Sequence, residues 1–198
     1  ASALADSDKK DLGCHTGTIS DAYQKLYLAG KLTNARKEFD TGLSSFNLAM
    51  GSAAFYDWLR ENPKLFRPDS IDYIHDPARI GKLSRVISIN GGVQVDLMGQ
   101  ENAESANGMQ LSGIGGQMDF LEGAFRSEGG CGYICINSSR LTKDGVRKSN
   151  ILPFIPGGST VSAPRTLIEA VATEYGIAHL AGKSLAERRE AMIAIAHP

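Results

Sequence analysis

The chain has 198 residues, which is enough for one domain with a substantial buried core. Its net charge of −1 excludes the broad basic field that nucleic acid or an anionic membrane attracts, so we expect neither partner. Three cysteines without a regular framework indicate a reducing compartment, and no apolar run approaches the roughly 20 residues of a membrane helix. We therefore expect a cytoplasmic protein.

The first third of the chain predicts two helices. Residues 18–30 carry apolar side chains at helical spacing, and Gly30 is a suitable end. Residues 52–61 form the second predicted helix, which begins after the capping residue Ser52 and stops before Pro63.

The middle of the chain predicts strands. Residues 84–99 alternate in two short apolar stretches around a glycine-containing break, which indicates a strand, a turn and a second strand. Residues 132–136 predict a short buried strand. Residues 151–155 predict an edge strand, because Pro153 has no amide hydrogen to donate to a neighbour.

The C-terminal part returns to helical patterns. Residues 165–175 predict a helical or mixed segment, and residues 184–196 predict a helix. Ser184 with Glu187 three residues later has the spacing of a capping box. This order of helices and strands predicts an α/β fold in a single domain, residues 1–198.

A cluster of glycines gives the most informative stretch, GMQLSGIGGQMDF at residues 108–120. Gly113, Gly115 and Gly116 crowd one turn, where successive amides can form an anion nest or an oxyanion hole. Met118 occupies the position at which a dinucleotide fingerprint requires a third glycine. Without further context, a purely structural turn is the commoner explanation.

Other polar residues have both a functional and an ordinary explanation. Asn90 could bind a ligand amide from a strand end, or it could be a turn asparagine. Cys14 and His15 are neighbours on an extended segment, so their side chains point apart and do not form a dyad. Cys131 and Cys135 lack zinc-site spacing, so we predict small core residues there and no metal.

Two acidic residues lie between a predicted strand and the glycine turn. Glu101 or Glu104 could serve as a base or nucleophile if buried, although a solvated loop is the commoner setting for such residues. Arg165 could pair with a carboxylate or phosphate, or it could cap a helix or bridge a surface acid.

Taken in order, these stretches resemble the acetyl-CoA hydrolase/transferase family, which contains the 4-hydroxybutyrate, butyryl and succinyl CoA-transferases. The resemblance covers nearly all of residues 11–198. It is carried by LGCHTGTISDAYQKLYLAGKLTNARK (12–37), NGGVQVDLMGQENAES (90–105), SGIGGQMDF (112–120), GSTVSAPR (158–165) and TEYGIAHLAGKSLAERREAMIAIAHP (173–198).

The resemblance implies a NagB/RpiA/CoA-transferase-like domain with a mixed central sheet flanked by helices. This chain would be the C-terminal half, with the N-terminal half of the enzyme absent. In the family, a glutamate attacks an acyl-CoA thioester and passes through an anhydride to a glutamyl-CoA thioester. By carry-over, Asn90 and Gly113 would contact CoA, while Gly115 and Gly116 would shape the oxyanion-binding turn.

One residue departs from the family pattern. The glutamate usually follows a His-Ser/Thr pair, but here the triplet ends in Gly17, which has no nucleophilic group. The residue could be an introduced substitution. A divergent enzyme could instead use water or a relocated acid such as Glu101 or Glu104. Alternatively, the domain could bind acyl-CoA without turning it over. The catalytic residue is therefore unknown at this stage.

The expected function is that of a CoA-transferase or acyl-CoA hydrolase acting on short-chain acyl-CoA and small carboxylates. Coenzyme A is then a substrate, and we expect no tightly bound cofactor. The expected protein partners are the N-terminal half of the enzyme and a second copy in a homodimer. The alternatives are a non-catalytic acyl-CoA-binding or structural domain, and an unrelated α/β domain with a glycine-rich turn.

Overall fold

The computed structural model describes residues 2–198, which divide into two compact units. The N-terminal unit ends at Ser84, and the C-terminal unit spans Arg85–Pro198. That residues 1–198 form one family domain stays a prediction. Among the described helices, none is long and apolar enough to cross a membrane.

The N-terminal unit is built on a parallel sheet of three strands in the order β1-β2-β3. The strands are β1 (His15–Ile19), β2 (Ser44–Ala49) and β3 (Phe66–Pro68). The helices are α1 (Ser2–Ala5), α2 (Asp21–Leu28), α3 (Ala53–Glu61), α4 (Ile71–Ile74) and α5 (Pro77–Ile80), with a 3₁₀ turn at Pro63–Leu65. Buried aromatic and aliphatic side chains fill the core between them, among them Ile19, Phe46, Phe55 and Phe66.

The two helices predicted in this unit are present, but one begins later than expected. α3 follows Ser52, whose hydroxyl accepts a hydrogen bond from the Phe55 amide at 3.2 Å, as predicted. The predicted helix at 18–30 starts only at Asp21. Its first two residues, Thr18 and Ile19, instead extend β1, because β-branched side chains suit a strand and a partner strand is available.

The C-terminal unit contains a mixed four-stranded sheet in the order β14-β13-β9-β4. β4, β9 and β13 are parallel, and β14 is antiparallel to β13. Its members are β4 (Ile87–Gly91), β9 (Cys131–Cys135), β13 (Ala170–Thr173) and β14 (Gly176–His179). This arrangement confirms the predicted mixed α/β fold.

Smaller sheets and two helices complete the unit. A second sheet has the order β12-β5-β6, and two ribbons pair β7 with β8 and β10 with β11. The strands are β5 (Gln94–Asp96), β6 (Glu101–Asn102), β7 (Ser105–Ala106), β8 (Met109–Gln110), β10 (Ser139–Leu141), β11 (Arg147–Ser149) and β12 (Ile151–Leu152). The helices are α6 (Gln117–Arg126) and α7 (Leu185–Ala194).

Helix α6 packs on β4 and β9 of the four-stranded sheet and directly precedes β9 in the chain. A methyl group added at Gly132 of β9 would lie 2.8 Å from the Leu121 side chain of α6, so a larger residue there would have to displace Leu121. Leu121 has no exposed surface and packs in one core with Ile134 and Val171. This packing fixes the start of α6, which the glycine turn immediately precedes.

The three stretches predicted as strands in this unit all contain strands. The stretch 84–99 contains β4 and β5, although the two belong to different sheets. Residues 132–136 correspond to β9, and residues 151–155 contain the edge strand β12.

The last two predictions had opposite outcomes. The predicted helical or mixed segment at 165–175 is wrong, because Ala170–Thr173 form β13, hydrogen-bonded to strands on both sides. The helix predicted at 184–196 is confirmed as α7. It begins with a capping box, in which the Glu187 carboxylate accepts a hydrogen bond from the Ser184 amide at 2.8 Å.

Candidate functional site

The glycine turn lies between the β7–β8 ribbon and helix α6. Gly113 and Gly115 are exposed, and Gly116 is the N-cap residue of α6. Gly115 has φ +58°, in the left-handed region that residues with a side chain rarely adopt. No atom lies within 4 Å of the position that a side-chain carbon would occupy at Gly113 or Gly115, so the turn faces open space.

The main-chain amides of this turn are not used by the fold. Among the described residues, none accepts a hydrogen bond from the amides of residues 113–116. The Gly116 amide stands at the N-cap of a ten-residue helix, where the unpaired N–H groups carry a partial positive charge, and residues 113–115 lead directly into it. They are therefore free to bind an anionic oxygen.

Both ends of the turn are attached to the segment that begins with β6. Upstream, the Glu104 carbonyl accepts hydrogen bonds from the Leu111 amide at 2.6 Å and the Ser112 amide at 3.3 Å. Downstream, the side-chain amide of Gln117 donates to Oε2 of Glu101 at 3.0 Å. The free amides thus lie between two fixed points.

Glu101 is completely buried, contrary to the expectation of a solvated loop. Its main chain is held by hydrogen bonds with Ala163 and Ser162, which belong to the predicted GSTVSAPR motif. Oε1 has no hydrogen-bond partner among the described residues and lies against Gly92, where an added methyl would be only 2.6 Å away.

The surroundings of Glu101 favour its neutral form. Burial raises its pKa from 4.5 to about 7, the hydrogen bond from Gln117 opposes that rise, and the nearby charge of Glu104 adds to it. Because Glu101 has no exposed surface in this structure, its carboxyl group is not placed to attack a bound thioester. Glu104 is engaged as well, since its carboxylate accepts a hydrogen bond from Ser162 at 2.7 Å.

Asn90 lies near the C-terminal end of β4, two residues before Gly92. Its side chain donates a hydrogen bond to the Ser88 hydroxyl at 2.8 Å and is partly exposed. Since Gly92 contacts Glu101, and Glu101 binds Gln117, this strand end and the start of α6 meet at one edge of the sheet. Ligands of α/β proteins commonly bind at such edges.

Gly17 and its neighbours belong to the N-terminal unit. Gly17 is partly buried within β1. Burial raises the pKa of the Cys14 thiol to about 11 and lowers that of His15 to about 4, where the imidazole donates a hydrogen bond to the Ile74 carbonyl. A thiol with a raised pKa is not an activated nucleophile.

The remaining candidates are not drawn together. Arg165 is exposed and forms no ion pair within residues 2–198. Cys131 is partly exposed and Cys135 is exposed, so the predicted core position is wrong for Cys135. The described part of the chain holds no cluster of three or more His, Cys, Asp or Glu side chains suited to a metal ion.

Comparison with known proteins identifies the family. A sequence model of the acetyl-CoA hydrolase/transferase C-terminal domain matches residues 51–198. The chain belongs to the acetyl-CoA hydrolase/transferase family.

Relatives in this family share the sequence and the fold. The chain is 43% identical to the butyryl-CoA:acetate CoA-transferase of Anaerostipes caccae over 197 residues, 100% of this chain and 44% of the relative. It is 42% identical to the 4-hydroxybutyrate coenzyme A transferase of Clostridium kluyveri over 191 residues, 96% of this chain and 44% of the relative. RipA from Yersinia pestis superimposes with a TM-score of 0.88 at 39% identity, covering 100% of this chain and 43% of RipA. The chain thus spans less than half the length of these relatives.

A cleft of about 450 Å³ lies elsewhere in the C-terminal unit and contains none of the predicted family site residues. Its lining includes Arg140 and Lys148, which face each other across the β10–β11 ribbon, together with Gly108 and Gly157. We place the candidate site at the glycine turn and not in this cleft, because the family motifs converge at the turn.

Sequence reasoning missed two residues of the site, Gln117 and Gly92. Gln117 directly follows the glycine turn, and Gly92 follows a strand end, but neither position alone indicates a contact with Glu101. That contact depends on the packing of β6 between them, for which the sequence carries no local signal.

Proposed function

We propose that this chain forms part of an enzyme that acts on short-chain acyl-CoA thioesters, as a CoA-transferase or an acyl-CoA hydrolase. The supporting observation is the row of free main-chain amides at residues 113–116, at the start of α6. The relatives' names, which include butyryl-CoA and 4-hydroxybutyrate CoA-transferases, indicate the substrate class.

The chemistry of a thioester requires this kind of site. Attack on the carbonyl carbon places a negative charge on the carbonyl oxygen. Preorganised amides stabilise that charge, and loss of one such donor typically costs about 10²–10³-fold in rate. Amides of this turn would donate hydrogen bonds to this oxygen, and Asn90 at the adjacent strand end would contact the CoA moiety.

Gly17 favours hydrolysis over transfer. The family resemblance implies a covalent glutamyl-CoA intermediate at this position, and glycine cannot form one. Neither Glu101, which is buried, nor Glu104, which is hydrogen-bonded, replaces it in this structure. Direct attack by water on the oxyanion-stabilised thioester needs no residue at position 17. A domain that binds acyl-CoA without turnover is less well supported, since the relatives named above are enzymes.

The same proposal includes the partners. Coenzyme A would act as a substrate and not as a tightly bound cofactor, and a small carboxylate would be the acceptor in the transferase reaction. The N-terminal half of the enzyme would complete the site, the assembly would be a homodimer, and its location would be the cytoplasm.

Turnover by the full-length protein tests this function. With acetyl-CoA or butyryl-CoA, we expect release of CoA thiol without acetate if water is the acceptor, and acyl exchange only with acetate if the enzyme is a transferase. Gly17→Glu should add or increase exchange. If the protein neither releases nor exchanges CoA, the proposed function is wrong.

A matched pair of variants tests the glycine turn itself. Gly115→Ala and Gly182→Ala both place a methyl group at positive φ, +58° and +72°, with no atom within 4 Å. The backbone strain is therefore similar, but only Gly115 lies in the turn. We expect kcat to fall about 10²-fold or more for Gly115→Ala and to stay near the wild-type value for Gly182→Ala. Equal losses would remove the turn from the mechanism.

A further inference from the structure

Glu101 has no role in the chemistry described above, yet it occupies a costly position. A buried carboxyl group is normally hydrogen-bonded at both oxygens, because an unsatisfied buried polar atom is unfavourable. Glu101 has no exposed surface, and its Oε1 has no hydrogen-bond partner among the described residues. Its other oxygen accepts a hydrogen bond from Gln117, the first residue of α6.

The contacts of Glu101 connect three parts of the site. Its backbone amide donates to the Ala163 carbonyl at 3.0 Å, and its carbonyl accepts from the Ser162 amide at 2.8 Å, which fixes the residue to the neighbouring loop. Its side chain lies against Gly92 at the end of β4 and holds Gln117 at the end of the glycine turn.

The turn needs such an attachment. Three of its four residues are glycines, which have the greatest backbone freedom to lose, and its amides form no hydrogen bonds within the described chain. Oxyanion stabilisation nevertheless requires those amides to be fixed before the substrate arrives. Upstream, the Glu104 carbonyl holds the chain, and downstream the side chain of Gln117 donates a hydrogen bond to Glu101.

We propose that Glu101 is a positioning residue, which holds the amides of residues 113–116 in place for the thioester oxygen through its hydrogen bond with Gln117. This inference rests on the proposed acyl-CoA function and adds a residue to it. Glu101 does not touch the substrate, and its effect is transmitted through Gln117.

Three variants of the full-length protein test the inference. Glu101→Ala and Gln117→Leu remove the hydrogen bond from either side, whereas Glu101→Gln retains an oxygen that can accept it. We expect the first two variants to lower kcat about 10-fold to 100-fold, because the amides of the displaced turn no longer stabilise the oxyanion of the transition state. KM should change less than about threefold, because the oxyanion is absent from the bound substrate. Glu101→Gln should keep kcat within about threefold of wild type.

The double variant Glu101→Ala/Gln117→Leu separates positioning from a general loss of stability. If both residues act through one hydrogen bond, the double variant should be no slower than the slower single variant. Ser184→Ala, which removes the cap of α7, serves as the control for destabilisation alone and should leave kcat unchanged. Losses that multiply in the double variant, or an equal loss in Ser184→Ala, would overturn the inference.

A readout without turnover separates this inference from the proposed function. Thermolysin cleaves before exposed apolar residues, and Leu111 and Ile114 flank and enter the turn. We expect cleavage within residues 111–117 of the folded protein to accelerate at least about tenfold in Glu101→Ala and Gln117→Leu but not in Glu101→Gln. If wild type shows no turnover while this pattern holds, only the proposed function fails. If cleavage rates are equal in all variants, Glu101 does not hold the turn.

Discussion

Two buried carboxyl groups, one in each unit, show how partners decide what such a group does. Asp40 in the N-terminal unit has a side chain that is 4% exposed. It accepts hydrogen bonds from the Ser45 hydroxyl at 2.7 Å, the Tyr73 hydroxyl at 3.1 Å and the Arg67 guanidinium at 2.8 Å. Glu101 in the C-terminal unit accepts one hydrogen bond, from an uncharged amide.

The two groups have pKa shifts in opposite directions. Burial acts to raise the pKa of Asp40, but hydrogen bonds from Ser45 and Tyr73, with the charges of Arg67 and Lys37, outweigh it and lower the pKa. Burial of Glu101 raises its pKa to about 7 without a compensating cation. A fully paired carboxylate contributes to stability, whereas an unpaired one beside a ligand-accessible turn indicates a functional site.

The largest expected effect is the loss of the paired carboxylate. Asp40→Ala should lower the free energy of unfolding by about 3–5 kcal/mol, because it leaves the Ser45 and Tyr73 hydroxyl groups without their acceptor and places alanine at a φ of +50°. Arg67 keeps its ion pair with Asp69. Asp40→Asn, which tolerates the φ of +50° at this position, should cost less. Urea denaturation measures both. Asp57→Ala removes the exposed ion pair with Arg60 and should cost less than about 1 kcal/mol. An equal loss of unfolding free energy in Asp40→Ala and Asp57→Ala would show that the buried, fully paired carboxylate stabilises the fold no more than an exposed one.

The second prediction is that replacing Glu101 should stabilise the folded protein, whereas replacing Asp40 should destabilise it. The pKa of Glu101 is higher in the folded chain than its ordinary value, so the folded state loses stability as pH rises from 4.5 through about 7. Glu101→Gln removes this loss and should make the protein about 3 kcal/mol more stable at pH 8, with little effect at pH 4.5.

Asp40→Asn provides the control for that pH dependence. Because the pKa of Asp40 is lowered by folding, its contribution is present above its ordinary value of 3.8 and is lost as pH falls through the folded value. Thermal unfolding of wild type and both variants should be measured from pH 3 to pH 8. The stability difference between Glu101→Gln and wild type should be largest at high pH, and that between Asp40→Asn and wild type should shrink at low pH. A Glu101→Gln difference that does not grow above neutral pH would show that the carboxyl is not strained in the fold.

The features that the sequence predicted are those with local causes. Two helix caps were predicted correctly, and each is formed by a contact between residues three positions apart. One is the capping box of Ser184 and Glu187 at α7, and the other is Ser52 at the start of α3. The glycine turn is local in the same sense. β13 was missed because it forms hydrogen bonds with β9 and β14, and nothing inside residues 170–173 reports those neighbours.

The pairing of the two carboxyl groups could not be predicted from the sequence either, because their partners are distant along the chain. The hydrogen bond between Glu101 and Gln117 spans 16 residues of chain, and that between Asp40 and Tyr73 spans 33. Whether an acid is paired, and hence which way its pKa moves, depends on partners brought together only by the complete packing of each unit.

The smallest expected effect tests how tightly Glu101 is enclosed. At Gly92, an added methyl would lie 2.6 Å from Oε1 of Glu101 and 3.0 Å from Ile136, whereas at Gly91 no atom lies within 4 Å. Neither glycine has a positive φ, so backbone strain does not separate them. Gly92→Ala should lower the free energy of unfolding by about 1–3 kcal/mol, while Gly91→Ala should change it by less than about 0.5 kcal/mol.

A second substitution shows which neighbour causes the strain at Gly92. In a Glu101→Ala background the shorter contact is gone, so Gly92→Ala should cost less than in wild type, with the remaining cost due to Ile136. Chemical denaturation of the four proteins in this cycle measures the coupling. An undiminished cost would mean that the carboxyl group can move away from Gly92. Glu101 could then not be the fixed point from which Gln117 holds the start of α6.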